Sequence, residues 1–160
     1  MVKDCLFCKL KEVKEDIIFE NEYFYCILDA FPVSPGHSLV IPKRHVDSLL
    51  DLNELEWAKL KQAIEMTVKK IESLDLKPIY EKFISLNIAE KSVNFCKELL
   101  NSGFIDKKPD AYNFGNNDGE AAGRSIPHLH IQIIPRYFGD SNKHIGGIRQ
   151  VILKKSSYLE

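Results

Sequence analysis

The segment between Pro127 and Pro135 constrains the fold of this chain more than any other stretch. Polar and apolar residues alternate along it, in the order His128, Leu129, His130, Ile131, Gln132, Ile133. Because successive side chains of a β-strand point to opposite faces, the pattern predicts a strand from 126 to 134, ended by Pro135. A solvent-facing strand is the alternative, but such faces usually carry Lys, Glu and Thr. We therefore interpret the polar face as the wall of a site.

The remaining pattern predicts an α+β fold with an antiparallel sheet, since strands precede and follow one long helix. Two short strands lie within 17–28 around a polar turn at 20–22, a third over 38–41 is stopped by Pro42, and a fourth begins at Ala111. The long amphipathic helix spans about 53–73 and is capped by Asn53 or Asp51. Its apolar stripe comprises Leu55, Leu60, Ile64, Val68 and Ile71.

The length of 160 residues indicates a single domain over 1–160, since domains of about 100–200 residues are usual. Residues 90–100 are predicted to form a second helix that ends before Gly103. We therefore interpret 74–110 as a helical insertion. Residues 138–160 form a C-terminal tail with a short strand expected at 151–153.

Composition and charge exclude several classes of function. Lys and Arg number 22 and Asp and Glu 23, so the net charge of −1 provides no overall basic field for a nucleic-acid backbone. The longest apolar stretches are a few residues long, whereas a bilayer span needs about 20. The N-terminus also lacks an apolar signal core. We expect a cytoplasmic protein without nucleic-acid or membrane partners.

The four cysteines fall into two groups. Cys26 lies in an apolar run and Cys96 in a helix-like stretch, so both are expected to be core thiols. Cys5 and Cys8 are spaced so that one chain can supply two ligands to a single metal ion. A redox pair is the alternative for this spacing, although no strand precedes it as a thioredoxin-like motif would require.

Three segments of the chain resemble the histidine triad (HIT) superfamily of nucleotidyl hydrolases and transferases. They are residues 34–45 (SPGHSLVIPKRH), the glycine-rich residues 117–125 (NDGEAAGRS) and the strand at 127–135, and they occur in the family's order. The resemblance runs from Cys5 to about Tyr137, with 74–110 as a poor match. It implies a HIT-like fold of about five antiparallel strands with one long helix, and a two-fold homodimer.

The resemblance also implies a catalytic mechanism. His130, the middle position of the family's His-φ-His-φ-His motif, would attack the α-phosphorus of a nucleotide or dinucleoside polyphosphate and form a covalent nucleotidyl-histidine. Gln132, Ser125 and Asn117 would stabilise the phosphoryl oxygens. Gln132 stands where the family has a third histidine, and an amide hydrogen-bonds without serving as a proton donor to a leaving group. The His-x-His-x-Gln form resembles the family's nucleotidyltransferase and diadenosine tetraphosphate phosphorylase branches, which favours transfer. Hydrolysis, phosphorolysis and a low-turnover nucleotide-binding role are the three alternatives.

The family's zinc-bearing members supply a ligand pattern that this chain matches. The positions are Cys5, Cys8, His45 and His128. Two Cys and two His close a tetrahedral site, so the zinc would be structural. The alternative is a free thiol pair with a surface His45.

Further positions match the family's nucleoside contacts. Asp29 would accept hydrogen bonds from the ribose hydroxyls, or would simply cap a turn. The base pocket would be walled by Leu6, Phe7, Ile27 and Ala30, each of which is otherwise an ordinary core residue. Gly123 belongs to the phosphate loop, and Arg124 would add positive charge there or remain solvated. His37 is expected to be a hydrogen-bonded core histidine.

Overall fold

A computed structural model of the protein describes residues 5–141 and 147–148. These residues form the following elements: α1 (Leu6–Val13), β1 (Ile17–Glu20), β2 (Phe24–Leu28), β3 (Ser38–Pro42), α2 (Glu54–Ile71), α3 (Leu76–Leu86), α4 (Glu90–Leu100), β4 (Ala111–Gly115) and β5 (Ile131–Arg136). Short 3-10 helices span Leu49–Asp51 and Glu120–Ala122. The strand expected at 151–153 and most of the tail lie outside the described residues.

The strands form one five-stranded sheet in the order β1-β2-β3-β5-β4, and each neighbouring pair is antiparallel. This confirms the predicted α+β fold. β5 lies between β3 and β4, with Gln132 opposite Leu39 on one side and opposite Gly115 on the other. The alternating segment of the sequence therefore leads into an interior position of the sheet.

The two faces of the sheet carry separate cores. One face packs against α2 through a cluster that includes Phe24, Cys26, Val40, Leu60, Ala63, Ile71, Leu129, Ile131 and Ile133. The other face packs against α1 through Cys5, Phe7, Cys8, Tyr25, Ile27, Leu39 and Ile41. Tyr25 Oη donates a hydrogen bond of 2.6 Å to the carbonyl of Phe7 and so holds α1 against the sheet. The odd residues after His128 enter the first core, and the even ones face the side that α1 covers.

The boundaries of the central strand differ from the prediction. β5 begins at Ile131 because the chain before it makes other hydrogen bonds: His128 N–H donates to the carbonyl of Ile126, and Leu129 N–H to that of Val46. β5 also continues through Pro135 to Arg136. Pairing with β3 ends at Ile133. Beyond that residue, the side of β5 that faced β3 has no strand among the described residues to which a backbone N–H would donate, so Pro135 is tolerated.

Helix α2 begins with a capping box that settles its N-terminus at Asn53. Asn53 Oδ1 accepts from Glu56 N–H, and the Glu56 carboxylate accepts from Asn53 N–H, both at 2.9 Å. The predicted stripe is right at Leu60 and Ile71 but wrong at Leu55, which is 63% exposed. Glu56 takes the buried position instead, because its charge is paired with Arg44 at 2.7 Å.

Helix α4 matches the predicted helix over 90–100, whereas α3 is an element that the sequence reasoning left unassigned. Pro78 lies in the first turn of α3, where its missing N–H costs no intrahelical hydrogen bond. Tyr80 and Phe83 of α3 pack with Cys96 of α4 and with Leu28 at the end of β2. The burial of Cys96 and Cys26 confirms both as core thiols. Among the described helices, none has the length and hydropathy to cross a membrane.

The buried Glu56 predicts a pH-dependent loss of stability. Hydrogen bonds from Arg44 hold the pKa of this carboxyl below its ordinary value, so its contribution is present above the unfolded-state pKa and is lost as pH falls through the folded-state pKa. Glu56→Gln should lower the free energy of unfolding by about 2 kcal/mol at pH 7. The difference should shrink below about pH 4.

Urea unfolding at pH 7 and pH 3.5 measures both values. Glu54→Gln, an exposed change of the same charge in the same helical turn, is the matched control. Equal losses in the two variants would contradict the role given to the Arg44 pair.

Candidate active site and metal centre

Four potential metal ligands, Cys5, Cys8, His45 and His128, lie together next to the chain that leads into β5 and form the metal cluster. Cys5 Sγ and Cys8 Sγ lie 3.3 Å and 3.7 Å from His128 Nδ1, and Cys8 Sγ lies 3.5 Å from His45 Nδ1. All four ligand atoms lie within 4.8 Å of one another. The N-terminal segment and α1 supply the two thiols, and the chain after β3 supplies His45. Residues 123 positions apart are thus brought into contact.

The sulfur–nitrogen separations fit a zinc ion, although the four ligand atoms as a set spread over up to 4.8 Å. Tetrahedral zinc with sulfur and nitrogen ligands places neighbouring ligand atoms about 3.3–3.8 Å apart. The three sulfur–nitrogen distances given above fall within that range. The donor set of two thiols and two imidazoles closes the coordination sphere, so the cluster suits a structural ion.

Hydrogen bonding prepares His128 for this role. Its Nε2 lies 2.9 Å from the carbonyl oxygen of Pro42, which can only accept, so Nε2 carries the proton and Nδ1 presents its lone pair to the thiols. Burial lowers the pKa of His128, which favours the neutral ligand form. Burial, followed by the neighbouring Cys5, raises the pKa of Cys8, so metal binding there must displace a proton.

Beside the metal cluster, a cavity of about 580 Å³ opens on the same face of the sheet. Eight of the residues predicted from the sequence line it: Leu6, Phe7, Ile27, Asp29, Ala30, Ser125, His130 and Gln132. Most of the other lining residues are apolar, so the wall combines a large apolar area with a short polar row where β5 begins and with the carboxylates of Glu15, Asp16 and Asp29. This distribution suits a ligand with a flat apolar part and a polar part.

His130 occupies the polar end of the cavity with a defined tautomer. Its Nδ1 lies 2.8 Å from the carbonyl oxygen of His128, so Nδ1 donates and Nε2 is left with a lone pair. The ring packs against Phe7 at a centroid distance of 5.2 Å and is only 8% exposed. His130 therefore has the form that a nucleophilic imidazole requires.

The glycine-rich loop is tied together by its own side chains. Asn117 Nδ2 donates to the carbonyl of Gly123 at 3.3 Å, which closes the loop ahead of Ser125. Arg124 turns away from the cavity and donates from Nη1 to the carbonyl of Asp47 at 2.9 Å. Thus the structure brings Ser125 to the cavity wall, while Asn117, Gly123 and Arg124 are not among its lining residues.

His37 is buried as expected, but it is only partly satisfied. Its Nδ1 accepts from Val33 N–H at 3.4 Å and lies 3.6 Å from Asp29 Oδ2. Its Nε2 has no hydrogen-bond partner. Burial lowers the pKa of His37 and outweighs the nearby Asp29 carboxylate, which favours the neutral ring. His37 is therefore a buried core histidine, as predicted, with one of its two ring nitrogens hydrogen-bonded.

Sequence reasoning missed the outer wall of the cavity. Phe83 and Leu86 of α3, with Ile88 just after it, line the cavity together with Val13 of α1. The signal available was the helical spacing of Leu76, Tyr80 and Phe83, which Pro78 obscured. Leu86, Ile88 and Val13 are each more than half exposed, so they form an apolar rim.

The chain is similar to known proteins over most of its length. The sequence model of the HIT domain matches residues 10–139. An uncharacterized HIT-like protein of Methanocaldococcus jannaschii is 29% identical over 138 residues, which are 85% of this chain and 81% of the relative. An AP-4-A phosphorylase of Mycobacterium tuberculosis is 27% identical over 127 residues, which are 79% of this chain and 49% of that protein.

A solved structure bears on the metal cluster. A zinc-bound histidine triad family protein from Mycobacterium smegmatis superposes with a TM-score of 0.53 at 27% identity, covering 88% of this chain and 80% of that one. The shared fold agrees with the arrangement of strands described above.

The cluster predicts that zinc content depends on Cys5. Cys5→Ser should abolish stoichiometric zinc and lower the melting temperature, because a serine hydroxyl is a poor zinc ligand and the N-terminal segment loses its crosslink to His128. Elemental analysis of the purified protein and a thermal melt measure both effects. Cys96→Ser, at a buried thiol outside the cluster, should keep one zinc per chain. Equal zinc content in the two variants would refute the site.

Proposed function

The chain belongs to the HIT domain family, and from that premise we propose that it cleaves a dinucleoside polyphosphate or a nucleoside phosphate ester at the α-phosphorus. His130 carries the proposal. It is an imidazole whose Nδ1 is held by a carbonyl, so that Nε2 is the nitrogen available for reaction, in the wall of a cavity that is large enough for a nucleoside. A cavity that only bound nucleotide would have no need of a nucleophile in that form.

The proposed reaction proceeds in two displacements. His130 Nε2 forms a bond to the α-phosphorus while the bond from that phosphorus to the leaving phosphate oxygen breaks. The nucleotidyl group is then attached to Nε2 as a phosphoramidate. Water or inorganic phosphate then attacks the same phosphorus, and the bond to Nε2 breaks. Two displacements replace one difficult step, as in other covalent catalysis.

Neutral donors would stabilise the phosphoryl oxygens. Gln132 and Ser125 line the cavity beside His130, whereas the N–H groups of Ala122, Gly123 and Arg124 donate to carbonyls within the loop. Within the described lining there is no Lys or Arg. Hydrogen-bond donors fixed in a largely apolar site suit the charge that develops on phosphorus-bound oxygens. Asn117 would act by holding the loop closed.

The apolar part of the cavity would hold the nucleoside. Asp29 lies at the end of β2 with one carboxylate oxygen accepting from Phe31 N–H at 2.9 Å, which fixes the direction of the side chain. Its other oxygen lies 3.6 Å from His37 Nδ1 and would use its remaining lone pair to accept from ribose hydroxyls. Leu6, Phe7, Ile27 and Ala30 would wall the base. Zinc held by Cys5, Cys8, His45 and His128 would supply a structural crosslink.

Gln132 favours transfer to phosphate as the alternative to hydrolysis. The similar mycobacterial protein is named as a phosphorylase, and an amide at this position cannot donate a proton to a leaving group as histidine can. We further propose a cytoplasmic homodimer. Four unpaired thiols suit a reducing compartment, and β4 is an edge strand with a half-exposed Phe114.

Product analysis with diadenosine tetraphosphate tests the reaction. Equal yields of ATP and AMP without phosphate would identify a hydrolase, and ATP with ADP formed only with phosphate would identify a phosphorylase. His130→Ala should reduce either rate by about a thousandfold or more, because the nucleophile is lost. A folded wild-type protein that binds AMP but turns over no dinucleoside polyphosphate would leave the nucleotide-binding role.

A second prediction concerns the charge at Gln132. Gln132→Glu keeps the size of the side chain but places an anion beside the phosphoryl oxygens, so kcat should fall by about 10²–10³-fold. Steady-state kinetics on diadenosine tetraphosphate measures it. Gln62→Glu, the same chemical change on the exposed side of α2, is the matched control. Similar kcat values in the two variants would remove Gln132 from the proposed mechanism.

A further inference from the structure

We propose that residues His45–Ser48 form a strap that couples the metal cluster to the glycine-rich loop at 117–125. Asp118 and Arg124 are the positioning residues of this loop. The inference rests on the proposed function, since it concerns how Asn117, Ser125 and His130 are held. Four consecutive residues each make one outward contact. The first contact is to the metal cluster, and each of the other three is to a residue adjacent to His130, Ser125 or Asn117.

The strap starts at the metal cluster. His45 Nδ1 lies 3.5 Å from Cys8 Sγ, and the two imidazole rings of His45 and His128 meet edge to face at 4.8 Å. A metal ion held by these side chains would fix the direction in which the chain leaves His45. The following residue, Val46, is buried and belongs to the core on the α2 side, so it cannot shift independently of the sheet.

Val46 makes the contact that is nearest to the nucleophile. Its carbonyl accepts from Leu129 N–H at 2.6 Å, and Leu129 lies between His128 and His130. This bond replaces the ladder bond that a longer β5 would have made. The position of the His130 backbone therefore depends on the strap as well as on the sheet.

Asp47 makes the contact to the glycine-rich loop. Its carbonyl accepts from Arg124 Nη1 at 2.9 Å, and its carboxylate lies between His45 Nε2, at 3.6 Å, and Arg124 Nη2, at 4.0 Å. Arg124 directly precedes Ser125, and its side chain is only 17% exposed. A carboxylate beside the outer nitrogen of a ligand histidine is a common outer-shell arrangement in metal sites. Here the same carboxylate also faces the loop.

Ser48 completes the strap at the other end of the loop. Its Oγ donates to Asp118 Oδ2 at 2.6 Å and accepts from Leu50 N–H at 3.1 Å. Asp118 directly follows Asn117, whose amide closes the loop onto Gly123. The strap thus holds both ends of the loop, and an ordered cluster restricts the donors that would face the phosphoryl oxygens.

Hydrogen exchange of the loop amides tests the coupling without any turnover. In the zinc-loaded wild-type protein, removal of zinc by a chelator should raise exchange over 117–125 by at least about tenfold, because local opening of the loop becomes easier. In the double variant Asp118→Ala/Arg124→Met, exchange should already be raised with one zinc still bound. Chelation should then add less than twofold. Glu120→Ala, an exposed change in the same loop, should keep the wild-type response.

Three outcomes would overturn the inference: a wild-type loop unaffected by chelation, a double variant with the full wild-type response, or a chain that binds no zinc. If the wild type unfolds on chelation, the comparison of the two zinc-loaded variants decides the matter. Affinity for AMP, measured by calorimetry, should fall at least fivefold in the double variant and not in Glu120→Ala. A coupled loop in an inactive chain would refute the proposed function alone, and an active chain without coupling would refute only the strap.

Discussion

The fully buried His128 is the point on which the arrangement of the site depends. It donates through Nε2 to the carbonyl of Pro42 at the end of β3 and presents Nδ1 to the thiols of Cys5 and Cys8. One imidazole therefore joins the N-terminal segment, the central strands and the start of β5. Because side chains alternate along the following residues, the placement of His128 also decides that His130 and Gln132 face the cavity.

The division of the sheet into two faces separates stability from chemistry. The face toward α2 is a continuous apolar core that includes Leu129, Ile131 and Ile133. The opposite face carries the metal cluster and the cavity, covered by α1 and rimmed by α3. β5 contributes to both faces, so His130, which directly precedes it, adjoins a strand whose other side is closely packed. That arrangement limits the movement of His130 relative to the loop that carries Ser125.

The electrostatics of the cavity set a condition on its ligand. Asp29, Glu15 and Asp16 lie along its wall, and Arg124, the cation that the sequence placed nearest the phosphates, turns to Asp47. Phosphoryl charge would therefore be balanced by hydrogen-bond donors instead of by cationic side chains. The acidic groups lie toward α1 and the end of β2, which suits the nucleoside end of the proposed substrate better than its phosphates.

Local sequence patterns were sufficient to predict many of the secondary-structure elements of this protein. Alternation in 127–135, the capping residue Asn53 and the periodicity of 90–100 predicted elements that the structure contains, because each depends on neighbours a few residues apart. The four candidate metal ligands were predicted from motif spacing together with family resemblance, and the structure brings them together. Which residues of α2 are buried was harder to predict. Leu55 is exposed and Glu56 is buried, because Arg44, which is distant in the sequence, stabilises the charge of Glu56.

By itself, the sequence determined which side chains share a face and which residue types are available for chemistry. The tertiary structure alone decided which of them meet. Arg124 donates to the carbonyl of Asp47, 77 residues away. His37 Nε2 has no hydrogen-bond partner among the residues that the structure describes. Helix α3 supplies part of the cavity wall, which no sequence motif predicted. The physical reason is that strand and helix periodicity act over a few residues, whereas these contacts depend on how the packed elements bring distant parts of the chain together.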